Sequence, residues 1–165
     1  AGTGAFVVGA DARPARAGLV ASNARRLDLD DLVAVTADGQ RPPFARHSFD
    51  RVLVDAPCSG LGVLRRRPDA RWRVTSSSID ELAGLQHDLL TSAASMVKPG
   101  GLLVYSVCTV TEAETSAVAR VFAKAHPQAV PRPLAGDRWR QLGSGGLLLP
   151  QDHDTDGMAV FAWTL

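Results

Sequence analysis

Apolar residues recur along this chain in short runs that end on polar side chains, and stretches of helical spacing separate them. The run over residues 5–10 ends at Asp11. Residues 14–26 follow with Pro14 in the first turn and Leu19, Val20, Ala24 and Leu27 near helical spacing, which predicts a helix. A second strand is expected over 32–36, ending at Ala37-Asp38-Gly39, and a third over 51–54. Residues 56–77 form a loop too long to be a mere connector. Ser78, with Glu81 three residues on, predicts a capped helix over 79–97, which Lys98-Pro99-Gly100-Gly101 stops. A strand over 102–105 and a helix over 112–125, with Thr111 as its cap, come next. Residues 131–150 read as irregular and rich in glycine and proline, and a strand over 158–164 closes the chain. Strands alternating with helices predict an α/β, Rossmann-like fold: a mostly parallel sheet with helices on both faces and right-handed crossovers.

The 165 residues suit a single domain with a real core, spanning 1–165. Apolar content of 45% is ordinary for a globular protein. No apolar run reaches the roughly 18 residues of a membrane span, and no signal-peptide pattern opens the chain, so no membrane partner is expected. Two cysteines make no disulfide framework, and the expected compartment is the reducing cytoplasm. A net charge of +1 does not declare a nucleic-acid binder. The local distribution says more, because Arg65, Arg66, Arg67, Arg71 and Arg73 crowd around Trp72. Arginine beside an aromatic suits phosphates and stacked bases, although a solvated arginine-rich loop has the same composition.

Four expected strands deliver polar groups at their carboxyl ends: Asp11, Asp38, Asp55 with Cys58, and Cys108. Open α/β sheets bind ligands at that edge, and an acidic residue there commonly accepts hydrogen bonds from a ribose. Aspartate also begins turns and caps helices, so each one alone means little. Three along one edge favour a nucleoside-bearing ligand. A thiol is a nucleophile only as thiolate. Cys108 precedes the expected helix, whose amino-terminal dipole would favour an anion. Cys58 lies in a Pro-Cys-Ser-Gly turn where Gly60 and Gly62 permit close backbone approach. The bland alternative is a pair of small buried hydrophobes. Zinc does not suit the pair, which lacks ligand spacing and an obvious third ligand, so no metal is expected. The four histidines show no consistent catalytic spacing; His153, ahead of the last strand, could approach the same edge, and a plain turn explains it as well.

Asp55-Ala56-Pro57-Cys58-Ser59-Gly60, followed by Gly62-Val63-Leu64-Arg65 and Pro68-Asp69 with Trp72, closely resembles motif IV of the RNA cytosine-5 methyltransferases of the Sun/Fmu type, ribosomal RNA enzymes with eukaryotic nucleolar relatives. Lys98-Pro99-Gly100-Gly101 with Tyr105-Ser106-Val107-Cys108-Thr109 resembles their motif VI, and His153-Asp154-Thr155-Asp156-Gly157-Met158 resembles their carboxyl-terminal element. The resemblance implies a class I methyltransferase catalytic domain that uses S-adenosyl-L-methionine on a cytosine of RNA, ribosomal RNA foremost. It implies that Cys108 attacks C6 of the base, that Cys58 assists release, and that Asp55 holds the cytosine edge near the cofactor. It further implies that Asp11 binds the cofactor ribose and Asp38 lies against the adenine. The arginine-rich loop becomes an RNA contact. Covalent catalysis would divide a difficult substitution into easier steps, and the base must be unstacked to receive the thiolate.

The chain also departs from the pattern. The family's motif I should precede Ala5, where only Ala1-Gly2-Thr3-Gly4 stand. That segment supplies the first, central strand, much of the methionine-binding surface and a site lysine, so the amino-terminal part of the sheet is expected to be missing. The family's amino-terminal RNA-binding domain has no counterpart here either. Val107 replaces a usual threonine, and Glu112-Ala113-Glu114-Thr115 stands where Pro-Glu-Glu-Asn is typical. The expectation is a carboxyl-terminal piece of a longer methyltransferase that alone binds cofactor poorly. A non-catalytic RNA-binding remnant is the alternative. A small-molecule or protein methyltransferase fits less well, because transfer to nitrogen or oxygen needs no cysteine adduct.

Overall fold

The computed structural model describes residues 4–165, so Ala1, Gly2 and Thr3 of the segment expected to bear on motif I lie outside the described residues. The chain divides into two compact units, residues up to Phe44 and Ala45–Leu165.

The first unit is a strand–helix–strand element. Strand β1 (Val7–Asp11) and strand β2 (Leu32–Thr36) pair in parallel, from Val7 opposite Leu32 to Asp11 opposite Thr36. Helix α1 (Pro14–Arg26) connects them, with proline at its first turn and Arg25 and Arg26 at its last. Proline is tolerated there because its missing N–H would be unbonded anyway, and the two cations complement the helix dipole. A Cβ on Gly9 would come within 2.9 Å of Val20, so glycine lets α1 lie close on β1.

The second unit holds a six-stranded sheet in the order β3-β4-β8-β7-β6, with β5 also on β8. Its elements are β3 (Phe49–Asp55), a 3-10 turn (Leu61–Val63), α2 (Ala70–Arg73), α3 (Ser76–Met96), β4 (Val97–Val107), α4 (Ser116–Ala125), β5 (Val130–Pro131), β6 (Arg140–Leu142), β7 (Gly145–Leu148), α5 (Pro150–His153) and β8 (Met158–Thr164). Strands β3 and β4 are parallel and joined through α3. Strand β8 runs antiparallel to β4, and β7 antiparallel to β8. The Rossmann-like α/β fold expected from the sequence is borne out. Strand β3 ends its ladder, and Leu53 on it is 65% exposed. Its other edge carries no ladder among the described residues.

The core of this unit is aromatic. Trp163, Tyr105, Phe122 and Phe161 are fully buried with Leu90 and Leu103, and the Phe122 and Trp163 rings lie 4.8 Å apart. Removing so much apolar surface from water is the main favourable term in folding. Among the described residues no helix is long and apolar enough to cross a membrane.

Several element ends differ from expectation. Helix α3 starts at Ser76 because Thr75 is its cap: Ser78 N–H donates to Thr75 Oγ1 at 3.2 Å, and Thr75 N–H donates to Ser78 Oγ at 2.9 Å. Strand β4 begins at Val97 instead of 102, since Phe49 already pairs with Val97 ahead of a register shift. Helix α4 begins at Ser116, four residues later than expected, and residues 112–115 form a turn. The stretch 131–150 contains the β6–β7 hairpin, whose glycines carry no strand signal.

Candidate active site

Parallel pairing of β3 with β4 sets Asp55 opposite Ser106, so the segments after both strands leave the same edge of the sheet. Ala56 N–H donates to the Ser106 carbonyl at 3.0 Å, and Gly62 N–H donates to the Cys108 carbonyl at 3.0 Å. Between these ties the Cys58 and Cys108 sulfurs approach to 3.3 Å, both half-buried and free of disulfide bonding. The structure thus brings together two cysteines separated by 50 residues in sequence.

One proton between two sulfurs sets the electrostatics. The two sulfurs share a hydrogen bond in which either can donate. With Cys108 as the thiolate it accepts from Cys58, and this bond, with the Cys108 backbone N–H and the Arg67 guanidinium, lowers the Cys108 pKa to about 7 against burial and the Asp55 carboxylate. The same hydrogen bond, with burial, pushes the Cys58 pKa far up. Cys108 is therefore the thiolate-forming partner and Cys58 the proton holder, because stabilising the charged form of one sulfur stabilises the neutral form of the other. The helix dipole invoked from the sequence is not the cause, since α4 begins only at Ser116.

Beneath the pair lies a carboxyl that sequence reasoning missed. Glu114 is fully buried. Its Oε1 accepts from Ser59 N–H at 2.8 Å and from Gln86 Nε2 at 3.1 Å. Its Oε2 accepts from Ser59 Oγ at 2.5 Å, Thr111 Oγ1 at 2.9 Å and Thr109 Oγ1 at 3.2 Å. Gln86 also donates to the Pro57 carbonyl at 2.9 Å. Tyr105 OH lies 2.7 Å from the Glu114 carbonyl oxygen and 2.9 Å from Gln86 Oε1. Burial and Glu114 push the Tyr105 pKa up, keeping it a neutral donor. The one signal available in the sequence was a Glu-x-Glu directly after the Cys108 segment.

The loop after Cys58 is closed by a glycine-on-glycine contact. Gly157 N–H donates to the Gly62 carbonyl at 2.8 Å. A Cβ on Gly62 would stand 2.2 Å from the Gly157 oxygen, so only glycine fits. Arg65 pairs with Asp154 and Arg66 with Asp156, tying the arginine-rich loop to the segment after α5. Arg73 pairs with Asp69 within its own loop. Arg67 and Arg71 are exposed, and Trp72 is 83% exposed. His153 bonds the Arg138 carbonyl through Nε2 at 3.1 Å and does not belong to the thiol site's hydrogen bonds.

In the first unit, Asp11 and Asp38 stand at the carboxyl ends of β1 and β2. Asp11 Oδ1 accepts from Arg13 N–H at 2.8 Å, and Asp38 Oδ1 accepts from Gln40 N–H at 2.9 Å. Each is an Asx turn that engages one carboxylate oxygen. Asp55 ends β3 and is exposed.

Comparison with known proteins agrees with the motif reading. A Mycobacterium tuberculosis relative is 41% identical over 162 residues, covering 96% of this chain and 35% of its own. The ribosomal RNA small subunit methyltransferase B of Vibrio vulnificus is 35% identical over 153 residues, covering 92% of this chain and 34% of its own. The chain thus spans about a third of the length of the curated relatives it matches. The crystal structure of PH0851 superposes with a TM-score of 0.91 at 28% identity, over 96% of this chain and 36% of that one. The structure of NSun6 from Pyrococcus horikoshii with SFG superposes at 0.82 and, at 24% identity, attests to the fold. With residues 2–163 matching the family model and a cysteine pair at the edge of a Rossmann-like sheet, the chain belongs to the 16S rRNA methyltransferase RsmB/F family.

Proposed function

We propose that this chain carries catalytic machinery for methyl transfer to C5 of a cytosine in RNA, ribosomal RNA being the substrate class, through a covalent bond from Cys108 to C6. The observation that carries this reading is the 3.3 Å thiol pair at the ends of parallel β3 and β4. Transfer to nitrogen or oxygen has no use for such a pair. Carbon 5 of cytosine is a poor nucleophile until a thiolate adds at C6 and returns electron density to the ring.

The cofactor of the family, S-adenosyl-L-methionine, supplies an electrophilic methyl group on a sulfonium. The chemistry of the residues fits it: Asp11 and Asp38 each give only one oxygen to a described backbone bond, leaving the other to accept from ribose hydroxyls or adenine. In this reading both units belong to one catalytic domain.

Cys108, with its pKa lowered to about 7, is substantially thiolate at neutral pH and adds to C6. Asp55 accepts from the amino edge of the cytosine. Once Cys108 is a thioether it no longer holds the Cys58 proton by hydrogen bonding, and the largest cause of the raised Cys58 pKa disappears. Cys58 then loses its proton to water and serves as the base that removes the C5 proton. Elimination returns Cys108 as thiolate. Exposed Trp72 offers a stacking face, and Arg67 and Arg71 offer charge to phosphates, while Arg65, Arg66 and Arg73 hold the loop through their ion pairs.

The test is nucleoside analysis of a ribosomal RNA transcript after incubation with protein and S-adenosyl-L-methionine. From a protein that also carries the motif I segment expected to precede Ala5, we expect 5-methylcytidine, abolished by Cys108→Ser. Unchanged yield with Cys108→Ser would overturn the reading. RNA binding with no 5-methylcytidine would favour the non-catalytic remnant.

A further inference from the structure

Glu114 makes no described hydrogen bond to either sulfur, yet it holds the residue that follows each of them. Cys58 and Cys108 ride on two separate segments, after β3 and after β4. Ser59, next to Cys58, donates to Glu114 from both its N–H and its hydroxyl, at 2.8 and 2.5 Å. Thr109, next to Cys108, lies 3.2 Å from the same carboxyl and 2.8 Å from the Ser59 hydroxyl. Gln86 of α3 and Thr111 hold the carboxyl from its other sides. A carboxylate accepts through both oxygens and carries no donor of its own, so it gathers five neutral donors from four residues where an amide or hydroxyl could not. Full burial makes each of these bonds costly to lose.

We propose that Glu114 is the positioning residue of the thiol pair: by clamping Ser59 and Thr109 together it fixes the sulfur separation at which Cys58 can donate to Cys108. The catalytic meaning of this rests on the covalent mechanism above, but its physical content does not. A sulfur–sulfur hydrogen bond at 3.3 Å leaves little slack, since hydrogen bonds weaken steeply with distance and angle. The other charged groups acting on Cys108 are Asp55 and Arg67, which lie outside the clamp.

The test measures the rate of Cys108 alkylation by iodoacetamide against pH, read by peptide mass spectrometry. It needs neither RNA nor methyl donor, so a failure of methyl transfer leaves the result interpretable. In Glu114→Ala the midpoint should rise from about 7 by at least about half a pH unit, toward the ordinary thiol value. Leu90→Ala, a core truncation in the same unit, should lower stability and leave the midpoint in place. A folded Glu114→Ala with an unmoved midpoint overturns the proposal, and so does an equal shift in Leu90→Ala. If Glu114→Ala does not fold, Ser59→Ala and Thr109→Val each remove one arm of the clamp. A rise in their midpoints supports the proposal, and unmoved midpoints overturn it.

Discussion

At the residue scale the site turns on one shared proton. The hydrogen bond between Cys58 and Cys108 is the largest cause of the lowered Cys108 pKa. Cys58→Ala should therefore raise the Cys108 alkylation midpoint above about 7, and an unchanged midpoint would show that the hydrogen bond is not the cause. The sign for turnover follows. A thiol whose pKa is lowered is charged above that pKa, so the rate of adduct formation should rise as pH passes upward through about 7 and fall away below it. Measuring that rate between pH 5.5 and 8.5, on the order of one and a half units either side of the midpoint, checks it. Both cysteines were legible in the sequence because each follows an apolar strand run and stands in a polar, glycine-bearing or turn-forming context. Glu114 was not legible. Its role depends on residues 112–115 forming a turn that directs the side chain inward, whereas helical periodicity assigns them to the first turn of α4.

At the scale of elements, the loop after β3 is held by its joint with the segment before β8. Gly62 and Gly157 meet backbone to backbone, and a Cβ on either would strike the other's chain. Gly62→Ala should cost about 2 kcal/mol through overpacking, seen as a lower denaturant midpoint with an unchanged slope. The same joint keeps the Gly62 amide on the Cys108 carbonyl, so the variant should also loosen the thiol pair. The arginine-rich loop divides by partner. Trp72→Ala should weaken binding to a single-stranded RNA oligonucleotide by roughly 1–3 kcal/mol if one base stacks there. A filter-binding titration in which Trp72→Ala matches the parent would remove the stacking role. The strands and α1 were readable from apolar runs and from Pro14. The β6–β7 hairpin was not, because strands containing Gly145 and Gly146 gain their order from pairing with β8 and packing, not from propensity.

At the scale of the molecule, the α/β class was legible from the alternation of strand and helix patterns, and the family from three short motifs. Under the proposed function, a net charge of +1 leaves RNA affinity to the local cluster of arginines around Trp72. In the proposed mechanism Cys108 is the nucleophile and Cys58 the release partner. The direct measurement is to incubate Cys58→Ala protein with ribosomal RNA and S-adenosyl-L-methionine, isolate denaturation-resistant RNA–protein adducts, and locate the bond by mass spectrometry. An adduct should accumulate at Cys108 that the parent protein does not build up and that Cys58→Ala/Cys108→Ser cannot form. An adduct on any other residue, or one that survives Cys108→Ser, would contradict it.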